Sequence, residues 1–344
     1  MHIEIERGKI IGEGHPAFVI AEIGSNHNRS LSLAKELIDA ASLAGADAAK
    51  FQIYSAPTLY SARCSASADY DGRALHDLIE SVETPREWLP ELAEYCKAKG
   101  IVFFATPFDA AAVDELDSVS ELFKIASFEI VDLPLIRHVA SKGKPIVMAT
   151  GLAGMGEIED ALEACRKQGN DRVALLQCAS CYPSPPSIMN LRSIGTMARA
   201  FGVPTGLSDH TLGIHISVAA VALGASVIEK HFTMDRNMKG PDHSFAIEPD
   251  ELVAMVRQIR EVESAMGDGR KRGPSDEEMR NYHIARRSLH ALRDIPAGTV
   301  ITAEMLISKR PGYGIRPKYL DWVVGRRAGR DIAADSWITI DMLD

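Results

Sequence analysis

The chain contains no apolar run that approaches the roughly 18 to 20 uninterrupted residues needed to cross a bilayer, so no membrane span is expected. Secretion is not expected either. The N-terminus, MHIEIERGKI, alternates apolar and charged residues and has no basic region followed by an apolar core and a cleavage site. Cysteine is sparse: Cys64, Cys96, Cys165, Cys178 and Cys181 are an odd number spread through 344 residues, which suits free thiols in a reducing cytoplasm and argues against a disulfide framework. Positive charge is in deficit, with 38 Lys and Arg against 47 Asp and Glu and a net charge of −9, which argues against a nucleic-acid surface. No low-complexity tract or solenoid repeat is present. What remains is an ordinary globular composition, 46% hydrophobic, in a chain longer than one typical domain, so a large barrel or a barrel with an appendage is expected.

Eight β-rich apolar runs recur through the first 265 residues: Phe18 to Ile23, Ala46 to Ile53, Ile101 to Ala105, Leu122 to Ala126, Pro145 to Ala149, Val173 to Cys178, Val203 to Leu207 and Ser226 to Ile228. Helix-period segments separate them. In SLSLAKELIDAASLAG, for example, Leu33, Leu37, Ile38 and Ala41 fall on one face. Runs this continuous mark strands covered on both sides, as in parallel sheets, and the repeat count favours an eight-stranded α/β (TIM) barrel over an open doubly wound sheet. The interval Ser55 to Arg86 is long for a βα loop and leaves room for an extra hairpin or a lid. The pattern then changes. We read residues 1–265 as the barrel, 266–284 (MGDGRKRGPSDEEMRNYHI) as a linker and 285–344 as a small β-and-turn domain. This last segment carries 10 Lys and Arg against 7 Asp and Glu, a net of +3, which leaves −12 on the rest.

A barrel places its chemistry where the strands open into the loops that follow them. Those positions hold Glu22, Asn26 and His27; Lys50 and Gln52; Thr106; Lys124, Ser127 and Glu129; Thr150; Ser180 and Tyr182; Ser208, Asp209 and His210; Lys230 and His231. Two lysines near apolar strand ends, with hydroxyls nearby, resemble a cradle for phosphate or carboxylate, the alternative being lysines paired with buried carboxylates. His210 and His231, at adjacent strand ends with Glu22 and Asp242 available, can share a divalent ion or can be ordinary packed histidines. The Cys178/Cys181 pair has no second CxxC and reads as structural thiols. Pro241 to His243 reads as a turn or as a carboxylate loop, and Arg310 before RPGYG as a surface residue or as a guanidinium delivered to an active site.

Taken together and in order, AEIGSNHN, KFQIY, ATPFD, FKIASFE, CYPSP, GLSDHTLG, EKHFT and KRPGYGI resemble the sialic acid synthase family. The resemblance covers nearly the whole chain. It implies a TIM barrel followed by a small antifreeze-like (SAF) domain, and condensation of phosphoenolpyruvate with an open-chain N-acylated amino sugar to give a nine-carbon 2-keto acid and phosphate. It further implies a divalent metal, typically Mn²⁺ with Mg²⁺ or Co²⁺ as alternatives, held by His210 and His231. By the same resemblance Glu22 orients or deprotonates the attacking water, and Lys50, Thr106, Lys124, Ser127 and Ser208 hold the phosphate and carboxylate. Glu129 lies beside those groups, Tyr182 and Asp242 contact the sugar, and Arg310 reaches an N-acyl group from the other subunit of a domain-swapped homodimer. FKIASFE, Ser180 in CASCYP, LIESVETPREW and RPGYGIRPKY are closer to the pseudaminic acid synthase pattern, whose sugar is a 2,4-diacetamido-2,4,6-trideoxy-altrose. N-acetylneuraminate synthase, using N-acetylmannosamine, and a non-catalytic sugar-binding protein are the alternatives. Ala149 and Ala179 depart from the family pattern, where Ser and Thr are usual.

Overall fold

The computed structural model describes residues 2–5, 8–61, 63 and 75–344. These form two compact units, Met1–Gly267 and Asp268–Asp344. The first opens with an antiparallel hairpin, β1 (His2–Ile5) and β2 (Lys9–Gly12), followed by eight parallel strands: β3 (Phe18–Gly24), β4 (Ala48–Ile53), β5 (Val102–Pro107), β6 (Phe123–Ile125), β7 (Ile146–Ala149), β8 (Val173–Cys178), β9 (Thr205–Asp209) and β10 (Val227–His231). β10 pairs with both β9 and β3, so the sheet closes into a barrel and the open-sheet alternative falls.

Helices follow the strands: α1 (Leu31–Leu43), α2 (Ala56–Leu59), α3 (Leu75–Val82), α4 (Leu89–Ala98), α5 (Ala110–Asp117), α6 (Leu133–Ser141), α7 (Met155–Arg166), α8 (Ser193–Phe201), α9 (His215–Ala222) and α10 (Pro249–Met266). α1 shows why: the Ser30 hydroxyl accepts from the Leu33 amide as an N-cap, and Ala34, Leu37, Ile38 and Ala41 bury one stripe against the barrel. In the long Ser55 to Arg86 interval the described residues form α2 and α3 and no hairpin; residues 62 and 64–74 lie outside the described residues.

Strand alternation sorts the barrel into two cores. Side chains such as Val19, Phe51, Phe103, Met148 and Leu175 pack outward under the helices. Those of opposite parity, Ile20, Ala48, Val102, Phe104, Val147, Ala174, Leu176 and Val227, fill the interior. Ile3, Ile5 and Ile11 of the hairpin join this interior cluster and close the barrel at the strand starts. In β1 the apolar residues of MHIEI alternate with period two, over too few residues to mark a strand by themselves. Above the apolar layer the inward positions become Glu22, Lys50, Thr106, Lys124, Ser208 and Glu229, all buried.

The second unit begins with α11 (Asp276–Ala285), where only a linker was expected. A capping box explains it, since Ser275 accepts from the Glu278 amide while the Glu278 carboxylate reaches back to Ser275. β11 (Ser288–Ala291) pairs antiparallel with β12 (Leu306–Lys309), α12 (Leu320–Val323) follows, and Leu289, Ile295, Ile301, Val323 and Ile338 contribute to its core.

Candidate active site

Four charged side chains meet inside the barrel mouth. Lys50 Nζ lies 3.0 Å from Glu22 Oε2 and 3.7 Å from Glu229 Oε2, and Lys124 Nζ lies 3.8 Å from Glu229 Oε1. Lys50 also donates to Thr106 Oγ1 at 3.2 Å, Gln52 Nε2 to Glu22 Oε1 at 2.6 Å, and Ser208 Oγ to Glu229 Oε1 at 3.0 Å. Burial pushes the Glu22 carboxyl above its ordinary value, with Lys50 pulling the other way. Burial also works against charge on Glu229, but Lys124 and Lys50 hold its carboxyl below the usual range. The lysines are therefore both a pair of point charges at strand ends and partners of buried carboxylates. Two ammoniums already face two carboxylates, so an incoming polyanion needs a further cation to be neutralised.

The histidines lie beside this group. The His210 and His231 ring centroids are 5.4 Å apart, and the Tyr182 ring lies 4.4 Å from His210 and 5.6 Å from Phe245. His210 Nδ1 sits 3.0 Å from the Ala179 carbonyl, an acceptor that holds a proton on Nδ1, so that the neutral ring offers Nε2 to a metal; against burial, Cys178 and this carbonyl hold the imidazole above its ordinary value while no metal is bound. His231 is buried, and its Nδ1 has no hydrogen-bond partner among the described residues and stands 3.8 Å from Asp242 Oδ2. Burial, reinforced by His210 and the lysines, holds this imidazole well below its ordinary value, in the neutral form that binds metals. An orphaned buried nitrogen, a second imidazole of defined tautomer and a nearby carboxylate fit a divalent ion. A different cluster, His76, Asp77 and Glu80, converges on the surface of α3, where exposed acidic groups are common without any ion.

On the other side a small cradle is open. The Gly151 amide donates to Ser127 Oγ at 3.2 Å, and a Cβ on Gly151 would meet Ser180 Oγ at 2.3 Å and Ser127 Oγ at 2.8 Å, so only glycine leaves both hydroxyls in place. Ser180 Oγ is buried and has no hydrogen-bond partner among the described residues. Thr150, next to Ala149, donates its hydroxyl to the Leu176 carbonyl. Glu129 Oε2 has no hydrogen-bond partner among the described residues, and burial pushes its carboxyl up to about 7. It lines a cavity of about 440 Å³ together with Gln52, Tyr182, His231 and Asp242.

Of the expected residues the barrel thus gathers Glu22, Lys50, Thr106, Lys124, Ser127, Glu129, Ser180, Tyr182, Ser208, His210, His231 and Asp242. Arg310 belongs to the second unit and is exposed there, after β12. Lys230 and Asp209 carry no site chemistry: they pair with each other at 3.0 Å, and Asp209 also accepts from Ser217 of α9, outside the barrel. His27 packs between Phe51 and Trp88 and bonds Thr84. Glu229 was missed, although the signal was available: if His231 points inward, strand alternation points Glu229 inward as well. Ser25, which donates to Asp242 Oδ2 at 3.1 Å, was also missed, because it follows the strand in a turn that no periodicity describes. The Cys178 thiol touches the site, 3.4 Å from Ser127 Oγ and 3.7 Å from His210 Nδ1.

An eight-stranded parallel barrel whose strand ends converge lysines, carboxylates, hydroxyls and two imidazoles on one cavity is an enzyme that handles a small anionic substrate. Residues 37–271 match the NeuB family and residues 286–344 match the SAF domain, so this chain belongs to the NeuB family, the sialic acid synthases. It is a transferase of the phosphoenolpyruvate-dependent nonulosonic acid synthases. It is 41% identical over 328 residues to the N,N'-diacetyllegionaminic acid synthase of Campylobacter jejuni, covering 93% of this chain and 98% of that one. With the pseudaminic acid synthase of the same organism it shares 38% over 323 residues, covering 92% and 93%. Among solved structures, the N-acetylneuraminic acid (sialic acid) synthetase of Leptospira borgpetersenii, in complex with citrate, superposes with a TM-score of 0.74 at 34% identity, over 82% of this chain and 95% of that one.

Proposed function

We propose that the enzyme condenses phosphoenolpyruvate with an open-chain 2,4-diacetamido-2,4,6-trideoxy-altrose and water, giving pseudaminic acid and phosphate in the cytoplasm. The carrying observation is the buried group of Lys50, Lys124, Glu22 and Glu229 beside unpartnered Ser180 Oγ and His231 Nδ1. Lys50, Thr106, Lys124 and Ser208 bind one end of phosphoenolpyruvate, and Ser127, Ser180 and the Gly151 turn receive its other anionic group. His210 and His231, with Asp242 nearby, hold a divalent metal, Mn²⁺ by family resemblance. When bound, it supplies Lewis-acid polarisation of the sugar aldehyde and the extra positive charge that the balanced lysine–carboxylate group lacks.

The chain's own groups then manage protons. Glu22, pushed up by burial, takes the proton of the water that adds to the cation left when the enolic carbon has attacked the aldehyde. Glu129, with a value of about 7, exchanges a proton at neutral pH beside the sugar, whose hydroxyls meet Tyr182 and Asp242. Collapse of the tetrahedral intermediate by C–O cleavage releases phosphate. Arg310 completes the reading as a contact to an N-acyl group in the active site of a second copy.

The legionaminic acid synthase relative favours a second reading, in which the sugar is the precursor of N,N'-diacetyllegionaminic acid. Phosphate release from phosphoenolpyruvate with Mn²⁺ decides between them, comparing the altrose, the legionaminic precursor, N-acetylmannosamine and a no-sugar control. Release with the altrose alone is the expected result. Release with another sugar alone reassigns the product, and no release with any sugar overturns the proposed activity.

A further inference from the structure

Polar and apolar residues both line the cavity, and Tyr60 and Glu129 add polar atoms next to the apolar ones. Ser25, Gln52, His231 and Asp242 line it from the ends of β3, β4 and β10 and from the loop after β10, whereas Leu59 of α2, Leu78, Ile79 and Val82 of α3, and Phe108 and Phe128 line it from elsewhere. Phe128 is 53% exposed, and Leu59, Ile79 and Phe108 are half-buried, so apolar surface is left facing the space that the substrate enters. Sequence explains the placement. On α3 Leu78, Ile79 and Val82 recur at i, i+1 and i+4, and the helix is tied with that face to the cavity: Tyr54 Oη donates to the Val82 carbonyl at 3.3 Å and Arg29 Nη1 to the Glu80 carbonyl at 2.8 Å. His76, Asp77 and Glu80 fall on the remaining face.

We infer that this apolar wall, formed by α3 with Leu59, Phe108 and Phe128, selects a sugar whose end remote from the aldehyde carries apolar substituents, a deoxy methyl carbon or an acyl methyl, in place of hydroxyls. The inference rests on the proposed function only in taking the substrate to be a sugar. The aldehyde must lie at the strand ends, where Glu22 and His231 stand, so the wall meets the other end of the molecule. A hydroxyl set against leucine, isoleucine and phenylalanine side chains loses its water and finds no partner in those side chains, Tyr60 and Glu129 being the polar groups beside them, whereas a methyl group covers surface that is otherwise wet. The cavity, about 440 Å³, has the size of a small-molecule site and is continuous with the reacting groups, since His231 and Glu129 line it too.

The test compares sugars that differ only at the terminal carbon. These are 2,4-diacetamido-2,4,6-trideoxy-altrose against its 6-hydroxy counterpart, and 6-deoxy-N-acetylmannosamine against N-acetylmannosamine, each with phosphoenolpyruvate and Mn²⁺. An apolar site rejects an analogue that only adds a hydroxyl by up to about 100-fold, so the deoxy member of each productive pair should show a kcat/KM at least about tenfold higher. In Ile79→Asn and in Phe128→Ser the ratio should fall to within about threefold of unity; Phe128 is exposed enough for the second variant to fold if the first does not. Equal rates for both members with the wild type overturn the wall while leaving the synthase reading intact. A preference that survives in both folded variants overturns its assignment to these residues. If no sugar releases phosphate, the synthase reading fails. Titration of the same pairs into enzyme loaded with Mn²⁺ and inorganic phosphate then decides the wall alone, a tenfold difference in Kd supporting it and equal Kd values overturning it.

Discussion

Replacing Glu129 by glutamine should make the protein more stable at alkaline pH while lowering its activity. The carboxyl is pushed by burial from 4.5 to about 7, which means that its ionised form is poorly accommodated in the folded state. At about 1.4 kcal/mol per tenfold change in proton affinity, the limit for a sealed site is roughly 3 kcal/mol. Glu129 is only part-buried, so solvent screening reduces the expected effect to about 1–2 kcal/mol. Its sign follows from linkage. The folded state holds this proton more tightly than the unfolded one, so the stabilisation is full below pH 4.5, declines as pH rises and is gone once pH passes about 7. Glutamine mimics the protonated acid and does not titrate. Urea unfolding of the enzyme without metal or substrate should therefore show Glu129→Gln gaining about 1–2 kcal/mol on the wild type between about pH 5 and about pH 8.5. The other titrating groups cancel in the difference between the two proteins. A gap that does not change with pH, or that changes in the opposite direction, would refute the reasoning.

Three further outcomes are expected. His231→Ala should abolish turnover and Mn²⁺ binding without altering the circular dichroism spectrum; a variant keeping most of its activity would remove His231 from the metal role. Gly151→Ala should raise KM for phosphoenolpyruvate on the order of tenfold or more, because its Cβ would meet Ser180 Oγ at 2.3 Å and turn that hydroxyl out of the cradle. An unchanged KM in the folded variant would show that the cradle does not bind the substrate. Mixing Arg310→Ala subunits with His231→Ala subunits should restore part of the activity in heterodimers, and no restoration under confirmed subunit exchange would count against a shared site.

Much of the fold was legible because it depends on local periodicity. The eight apolar runs became β3 to β10, and their continuity reported strands buried on both faces. The small C-terminal unit was legible in the switch to short β segments and turns. α11 was passed over because a charged helix without an apolar stripe looks like a linker unless its capping box is noticed. The β1–β2 hairpin was passed over because four-residue strands give too short an alternation to stand out.

The residue types and strand positions of Lys50, Lys124, His210 and His231 follow from sequence alone, since a strand end is a one-dimensional property. Tertiary structure decided which of them act together. Lys230 and His231 are neighbours in the chain, yet one pairs with Asp209 outside the barrel while the other faces its mouth. Glu229 acquired its place only when β10 closed against β9 and β3, bringing its carboxylate to Lys50 and Lys124 from strands far apart in the chain. The space at Gly151 and the apolar wall of α3 are likewise products of closure, because steric fit and burial depend on distances between elements that no pattern along the chain encodes.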